Sequence, residues 1–336
     1  MSFIKTVTAT SMKAIQFARY GAPEVLELCK VAIPEPKEGE ILIRVKAAGL
    51  NPIDYKTRNG TGFVATEHIR DNLPSGLGYD FAGEVVDIGR TPSKFQVGDH
   101  VMGLAGGLIG GFGDFPNKPC AYAEYVCAIP RDIIKKPELL SWEQAAAVPT
   151  AGLTALQALR MGRARRGDKV LVLAGAGGVG HLAIQLAKKM RCKVWATASK
   201  YNHDFLRELG ADNCIDYHEE DPFRDIINTM DIVIDNVGGA SGIQSIDTIT
   251  DLGCIITIPT KTALEVIDAA AARLITSHDI VKKNDMEELE LLAKLHNKGH
   301  IRVEIMKTFY LGGDQAIEAH TLLETGKVRG KLVFKI

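Results

Sequence analysis

The sequence predicts an α/β chain in two parts, a compact barrel-like β domain followed by a doubly wound parallel sheet with helices on both faces. Three observations predict it. From Met12 to about Pro130, short apolar runs alternate with glycine and proline punctuation, and few stretches carry a helical period. Beyond about Pro137, β runs and amphipathic helical stretches take turns, which is the pattern of a parallel sheet covered by helices. At the head of that alternation, the apolar run Val170 to Ala174 enters a glycine-rich turn and passes straight into a helical period. At 336 residues the chain is long enough to bury a core for each part.

The β part begins with an alternating run, Lys13 to Phe17. Next come Val25 to Leu28 after a Gly-Ala-Pro turn, and a longer strand from Glu40 to Ala47. Further β runs are Asp80 to Ile88, His100 to Met102 and Ala121 to Cys127. The stretch Leu104 to Pro119 is glycine-rich and without period, hence a loop, and one long enough to cover a site. Ser141-Trp-Glu-Gln144 is a capping box that opens a helical stretch, interrupted near Pro149. After the glycine turn come a strand at Lys193 to Thr197, a helix capped by Asn202 and ending at Gly210, and a strand at Asn213 to Tyr217. Asp221-Pro222 reads as the start of another helix. A strand (Ile232 to Val237), a helix (Ser241 to Ile249), a strand (Cys254 to Pro259), a helix (Thr262 to Leu274) and a strand (Ile275 to Val281) continue the alternation. The tail holds an amphipathic helix, Asp285 to Asn297, then a strand, a helix from Asp314 to Glu324 and a last strand from Lys331 to Ile336. Periodicity leaves open whether this tail adds to the parallel sheet or returns to the first domain.

In Gly175-Ala-Gly177-Gly178-Val179-Gly180 the spacing Gly-x-Gly-x-x-Gly lies between a strand and a helix, with a second strand following. That unit cradles a dinucleotide pyrophosphate. Gly175 is assigned the tight turn, Gly177 the close backbone approach, and Gly180 the helix–strand packing, while the helix N-terminus faces the anion. His181, next in line, either touches the pyrophosphate or packs.

Composition excludes several classes. A net charge of -1 provides no global field for nucleic acid, and no apolar run reaches the length of a membrane span. Six scattered cysteines without close pairing fit a reducing compartment, and a short lead-in before Met12 without a leader pattern fits a cytoplasmic protein.

Several motifs together resemble the medium-chain dehydrogenase/reductase superfamily, specifically its zinc-free quinone oxidoreductase (zeta-crystallin-like) branch. They are Gly49-Leu-Asn-Pro-Ile-Asp54, Gly78-Tyr-Asp-Phe-Ala-Gly83, Val97-Gly-Asp-His-Val-Met102, Ala145 to Ala155, the glycine turn itself, and Leu209-Gly-Ala-Asp212. The resemblance implies a discontinuous GroES-like β domain over residues 1–138 and 285–336, a Rossmann nucleotide-binding domain over 139–284, an active site in the interdomain cleft, and a homodimer formed through edge strands of the nucleotide domains.

It also speaks to the metal. Zinc members of the superfamily carry a ligand cysteine where this chain has Asn51 and a ligand histidine where it has Tyr79, and neither replacement is a usual zinc ligand. Their structural-zinc loop has four cysteines; Leu104 to Pro119 has none, and their proton-relay hydroxyl is Ile53 here. The expectation is no metal. The second strand of the βαβ unit ends Ala-Ser199-Lys200 without the acid that holds an NAD ribose. Ser199 and Lys200 instead suit a 2′-phosphate, and the resemblance places Tyr217 at a family tyrosine near that phosphate, which points to NADP(H), although Lys200 also reads as a solvated lysine. Thr150 and Thr154 match residues beside the nicotinamide and also read as helix contacts.

Without a Lewis acid, the expected acceptors are quinones and alkenes conjugated to a carbonyl, whose reduction builds negative charge on oxygen that a donor must meet. The candidate donors are Asn51, Lys56, Tyr79 and Tyr55, the last equally readable as packing; Asp54 reads as a structural acceptor rather than a base. The competing readings are another NADP-dependent ketone or enoyl-thioester reductase, and a catalytically weak NADPH-binding protein of crystallin or RNA-binding type.

Overall fold

The computed structural model describes residues 9–61, 65, 69, 73–89, 93–105 and 120–336. Most of the predicted 104–119 loop therefore lies outside the described residues. The chain divides into two compact units, one of Met1–Thr150, Lys283–Lys298 and Ile305–Ile336, the other of Ala151–Lys282 and Gly299–Glu304.

The first unit contains β1 (Ser11–Phe17), β2 (Leu26–Ala32), β3 (Ile41–Gly49), the helix α1 (Pro52–Arg58), β4 (Ser75–Gly76), β5 (Asp80–Asp87), β6 (His100–Leu104), β7 (Tyr125–Ala128), β8 (Ile133–Lys135) and the helix α2 (Trp142–Ala147). The next helix, α3 (Pro149–Met161), begins at its edge. The second unit supplies β9 (Lys169–Val172), α4 (Gly180–Lys189), β10 (Lys193–Thr197), α5 (His203–Glu208), β11 (Asn213–Ile215), β12 (Met230–Asp235), α6 (Gly239–Ser245), β13 (Ile249–Thr257), α7 (Ala263–Ala272) and β14 (Thr276–Asp279). The chain then returns to the first unit with α8 (Met286–Asn297), β15 (Ile305–Tyr310), α9 (Gly313–Glu324) and β16 (Lys331–Lys335).

The β domain is built from a three-stranded sheet, β2-β1-β4, and a seven-stranded one running β15-β16-β3-β5-β6-β8 with β7 also paired to β3. One core takes side chains from both sheets, among them Ile15 and Phe17 from the small sheet and Ile43, Phe81, Val101 and Phe334 from the large one. β3 pairs with β5, β7 and β16 and is buried along most of its length, with the half-buried Arg44 and Lys46 interrupting its apolar residues. The tail question is settled by register: Val333 lies opposite Gly49, and Phe334 opposite Ala48.

The second unit is a six-stranded parallel sheet in the order β11-β10-β9-β12-β13-β14, the doubly wound arrangement. Its residues Gly299–Glu304 are fastened to α4. Gln185 accepts from the Arg302 N–H at 2.8 Å and donates to the Arg302 carbonyl at 2.9 Å.

Local signals fare unevenly. The Ser141 capping box forms as predicted, with Ser141 Oγ accepting from the Gln144 N–H at 3.1 Å and Gln144 Oε1 from the Ser141 N–H at 3.0 Å. Asn202 is not a side-chain cap. Its backbone is already helical, closing a short 3₁₀ turn over Lys200–Asn202. No α-helix follows Asp221-Pro222; a single 3₁₀ turn, Arg224–Ile226, buries Phe223 and Ile226, and Asn228 turns left-handed (φ 49) to bring Thr229 against the Thr248 carbonyl.

Candidate active site

The candidate residues fall into two groups, one in each unit. In the second unit, β9 ends at a turn whose left-handed residue is Ala174 (φ 49) and not Gly175. The glycines answer to space instead. A Cβ on Gly175 would lie 2.8 Å from the Ala196 Cβ, and one on Gly180 would lie 2.3 Å from the Ala174 carbonyl oxygen. A Cβ on Gly177 would meet only that oxygen, at 3.3 Å, so this position keeps backbone open to an approaching group. Gly177, Gly178 and Val179 are half-buried, and Val179 already has helical geometry at the head of α4. Thr197 pins the turn: its carbonyl accepts from the Gly175 N–H at 2.7 Å, and its hydroxyl from the Ala174 N–H at 2.9 Å. His181 packs. It is buried, its Nδ1 lies 2.9 Å from the Gly177 carbonyl, and its Nε2 accepts from the Glu304 N–H at 3.4 Å.

At the end of β10, Ser199 donates to the Tyr217 hydroxyl at 2.9 Å, and the exposed Lys200 follows at once. The nearby acids face other partners. Asp216 accepts from the His218 N–H and lies 2.9 Å from its Nδ1, and Asp204 pairs with Arg207 at 2.7 Å. Two hydroxyls and an ammonium thus stand where NAD-binding folds place a carboxylate.

In the first unit, the motif residues of α1, β5 and α3 form one buried network. Asn51 opens α1, with Asp54 accepting from the Asn51 N–H at 2.7 Å. The Asn51 amide donates to Asp80 at 2.9 Å, and its oxygen accepts from Lys331 Nζ at 2.5 Å. Lys331 also donates to the Leu50 carbonyl at 2.6 Å. Asp80 accepts from the Thr150 N–H at 3.1 Å and from its hydroxyl at 2.5 Å. Asn51, Asp54, Asp80 and Lys331 are all buried. Burial pushes the Asp54 carboxyl up to about 7, against the Asn51 N–H bond that lowers it, and drives the Lys331 ammonium downward while Asp80 and Asp54 hold it up.

Asn51 is expected to turn its amide toward a substrate; the structure gives both of its polar atoms to Asp80 and Lys331. Tyr79 is buried with its hydroxyl 3.3 Å from Thr57, and desolvation raises its phenol well above the ordinary value. Tyr55 and Lys56 are half-buried, and Thr154 is buried. Lys331 and Asp80 are the participants that sequence reasoning misses. A lysine opening the apolar run Leu-Val-Phe is the one available signal.

This donor set does not fit zinc. An amide committed on both atoms and a neutral phenol occupy the two ligand positions, and the nearby Cys120 thiol is pushed up to about 12 by burial. Among the described residues no group of three or more His, Cys, Asp or Glu side chains could hold a metal ion.

Two family models match the chain, the alcohol dehydrogenase GroES-like domain over residues 37–138 and the zinc-binding dehydrogenase domain over 209–334. A 2-methylene-furan-3-one reductase of Solanum lycopersicum is 35% identical over 327 residues, covering 96% of this chain and 79% of the relative. An NADPH-dependent alkenal/one oxidoreductase of Arabidopsis thaliana chloroplasts is 39% identical over 231 residues, 68% of this chain and 58% of the relative. The solved quinone oxidoreductase of Coxiella burnetii is 54% identical and superposes with a TM-score of 0.91, covering 97% of this chain and 99% of the other. With its β domain, its parallel sheet and its replaced ligand positions, the chain belongs to the zinc-free quinone oxidoreductase branch of the medium-chain dehydrogenase/reductases and is an oxidoreductase.

Proposed function

We propose that the chain is an NADPH-dependent reductase that passes a hydride to quinones or to alkenes conjugated with a carbonyl. One observation carries the acceptor class. The Asn51 amide, at a former ligand position, is committed to Lys331 and Asp80, so Asn51 does not replace the polarisation that a metal ligated there would give an unactivated carbonyl. An acceptor must therefore be easily reduced in its own right. The relatives named for an enone, an alkenal and a quinone point the same way.

The residues fit NADP(H). Gly177 keeps clearance for a pyrophosphate, and Ser199, Lys200 and Tyr217 offer hydroxyls and a positive charge to a 2′-phosphate. Bound NADPH supplies the hydride. Thr150 and Thr154 meet the nicotinamide end, and the Thr150 proton is already given to Asp80, so its oxygen serves there as an acceptor. The developing oxyanion then needs a donor other than Asn51 or Thr150, and Lys56 with Tyr55 takes that part. The six-stranded sheet ends at β14, with Leu252 and Leu274 fully or almost fully exposed near that edge, which supports a homodimer formed there. Six cysteines without a disulfide support a reducing, cytoplasmic setting.

The test is turnover of NADPH and NADH across a panel of quinones, enals, enones and simple ketones. Reduction of quinones or enones with NADPH, and not of simple ketones, is the expected result. Tight NADPH binding with no turnover of any acceptor would overturn the enzymatic reading. Lys200→Glu should weaken NADPH by roughly tenfold or more, about the worth of one charge-assisted phosphate contact, and leave NADH nearly unchanged.

A further inference from the structure

Lys331 is a lysine on an interior strand with its ammonium enclosed, 3% exposed as a residue. Burying a charge is unfavourable unless it is paired and hydrogen-bonded. The pairing here is indirect. Nζ touches the Asn51 amide oxygen and the Leu50 carbonyl, and the Asn51 amide nitrogen touches Asp80, so a neutral amide is clamped between a cation and an anion. That clamp fixes the amide orientation, since the reversed amide would set N–H against ammonium. Asp80 accepts hydrogen bonds from both the N–H and the hydroxyl of Thr150.

We propose that Lys331 is a positioning residue, whose ammonium acts through Asn51 and Asp80 to hold the Thr150 hydroxyl with its oxygen turned out as an acceptor for an amide or sugar hydroxyl of the cofactor. This rests on the placement of Thr150 at the nicotinamide end given above. The groups that bear on the network's charge are few. Asp54 on α1 acts on Lys331, Tyr79 and Cys120; Asp80 acts on Asp54, Lys331 and Tyr122. Lys331 is the one cation among them.

Removing that cation leaves the buried Asp80 and Asp54 without the positive partner that Lys331 supplies, and an unpaired buried carboxylate is costly in its ionised form. A carboxyl shifted upward contributes stability that is complete at low pH and lost as pH climbs toward the folded value. Three variants are compared with the unmodified protein: Lys331→Met, Lys331→Arg, and Lys331→Met combined with Asp80→Asn. For each, the thermal midpoint without cofactor is followed from pH 5 to pH 8, and NADPH affinity is measured by fluorescence. Lys331→Met is expected to fall further below the unmodified protein as pH rises, to show a smaller trend when Asp80→Asn is added and leaves Asp54 alone to titrate, and to bind NADPH about tenfold more weakly, the worth of one hydrogen bond. Lys331→Arg restores both properties in large part. A gap that stays constant with pH or an unchanged NADPH affinity, which a lysine that merely fills space predicts, overturns the proposal, as does a trend that Asp80→Asn leaves undiminished. If Lys331→Met does not fold, Lys331→Gln, which removes the charge and keeps donors, is read by the same two measurements. A protein that binds NADPH and reduces no acceptor would fail the functional reading alone; the pH trend still decides on Lys331.

Discussion

At the scale of single residues, Asp54 and Asn51 show how far a motif reaches. Gly-Leu-Asn-Pro-Ile-Asp carries the family resemblance, with Asn51 read as a candidate donor and Asp54 as a structural acceptor; the helix Pro52–Arg58 goes unread, and the structure makes Asp54 its capping acceptor, receiving N–H bonds from Asn51 at 2.7 Å and from Gly78 at 3.2 Å. Its carboxyl, lifted by burial to about 7, stands above an unfolded value of ~3.9. The contribution of that group to stability is therefore complete in acid and lost as pH rises through about 7. Asp54→Asn does not titrate, so its thermal midpoint should gain several degrees on the unmodified protein between pH 5 and pH 8. A difference that is flat with pH would refute the assignment. What the motif cannot carry is the partner of Asn51. Whether an amide faces a ligand or a neighbour depends on what fills the space beside it, and here Lys331, 280 residues away in sequence, fills it.

At the scale of elements, legibility follows the range of the forces. The Ser141 box is visible in the sequence because both of its bonds close within four residues; Ser141→Ala should cost about 1 kcal/mol in chemical denaturation, with the same helix retained by circular dichroism. The strand–glycine–helix unit is visible for the same reason, since spacing alone places Gly180 under the Ala174 carbonyl. Gly180→Ala would drive a Cβ to 2.3 Å from that backbone oxygen, and no side chain can yield to relieve it. The variant should lose about 1–3 kcal/mol in urea unfolding and most of its affinity for the nicotinamide dinucleotide, since the turn and the head of α4 must move apart. The stretch after Asp221-Pro222 is misread because a favourable helix start says nothing about how soon β12 must begin. Asn202 is misread because the preceding residues have already entered helical geometry.

At the scale of the whole molecule, periodicity separates a β region from a β/α region, and it leaves the tail undecided because an apolar strand suits either sheet. Pairing of β16 with β3 decides it. The parallel sheet leaves β14 as an edge strand with mostly exposed residues, and Leu252 on β13 is fully exposed. For the homodimer proposed at this edge, Leu252→Lys together with Leu274→Asp should yield a monomer in sedimentation or light scattering, with dinucleotide binding kept. A dimer that withstands both charges would place the interface elsewhere.

The pairing of β16 with β3 also has a consequence in time. During synthesis the second unit's sheet, β9 to β14, lies in one continuous stretch and can fold once that stretch has emerged. The seven-stranded sheet waits for its last strand, a contact of very long range and hence slow to find. Until β16 docks, Asn51 and Asp80 have no cation opposite them. The nascent chain thus carries a finished parallel sheet while the Asn51–Asp80 network still lacks its charge balance. Activity should therefore appear later in refolding than native parallel-sheet signal, and the lag should match the rate at which β16 becomes protected from hydrogen exchange.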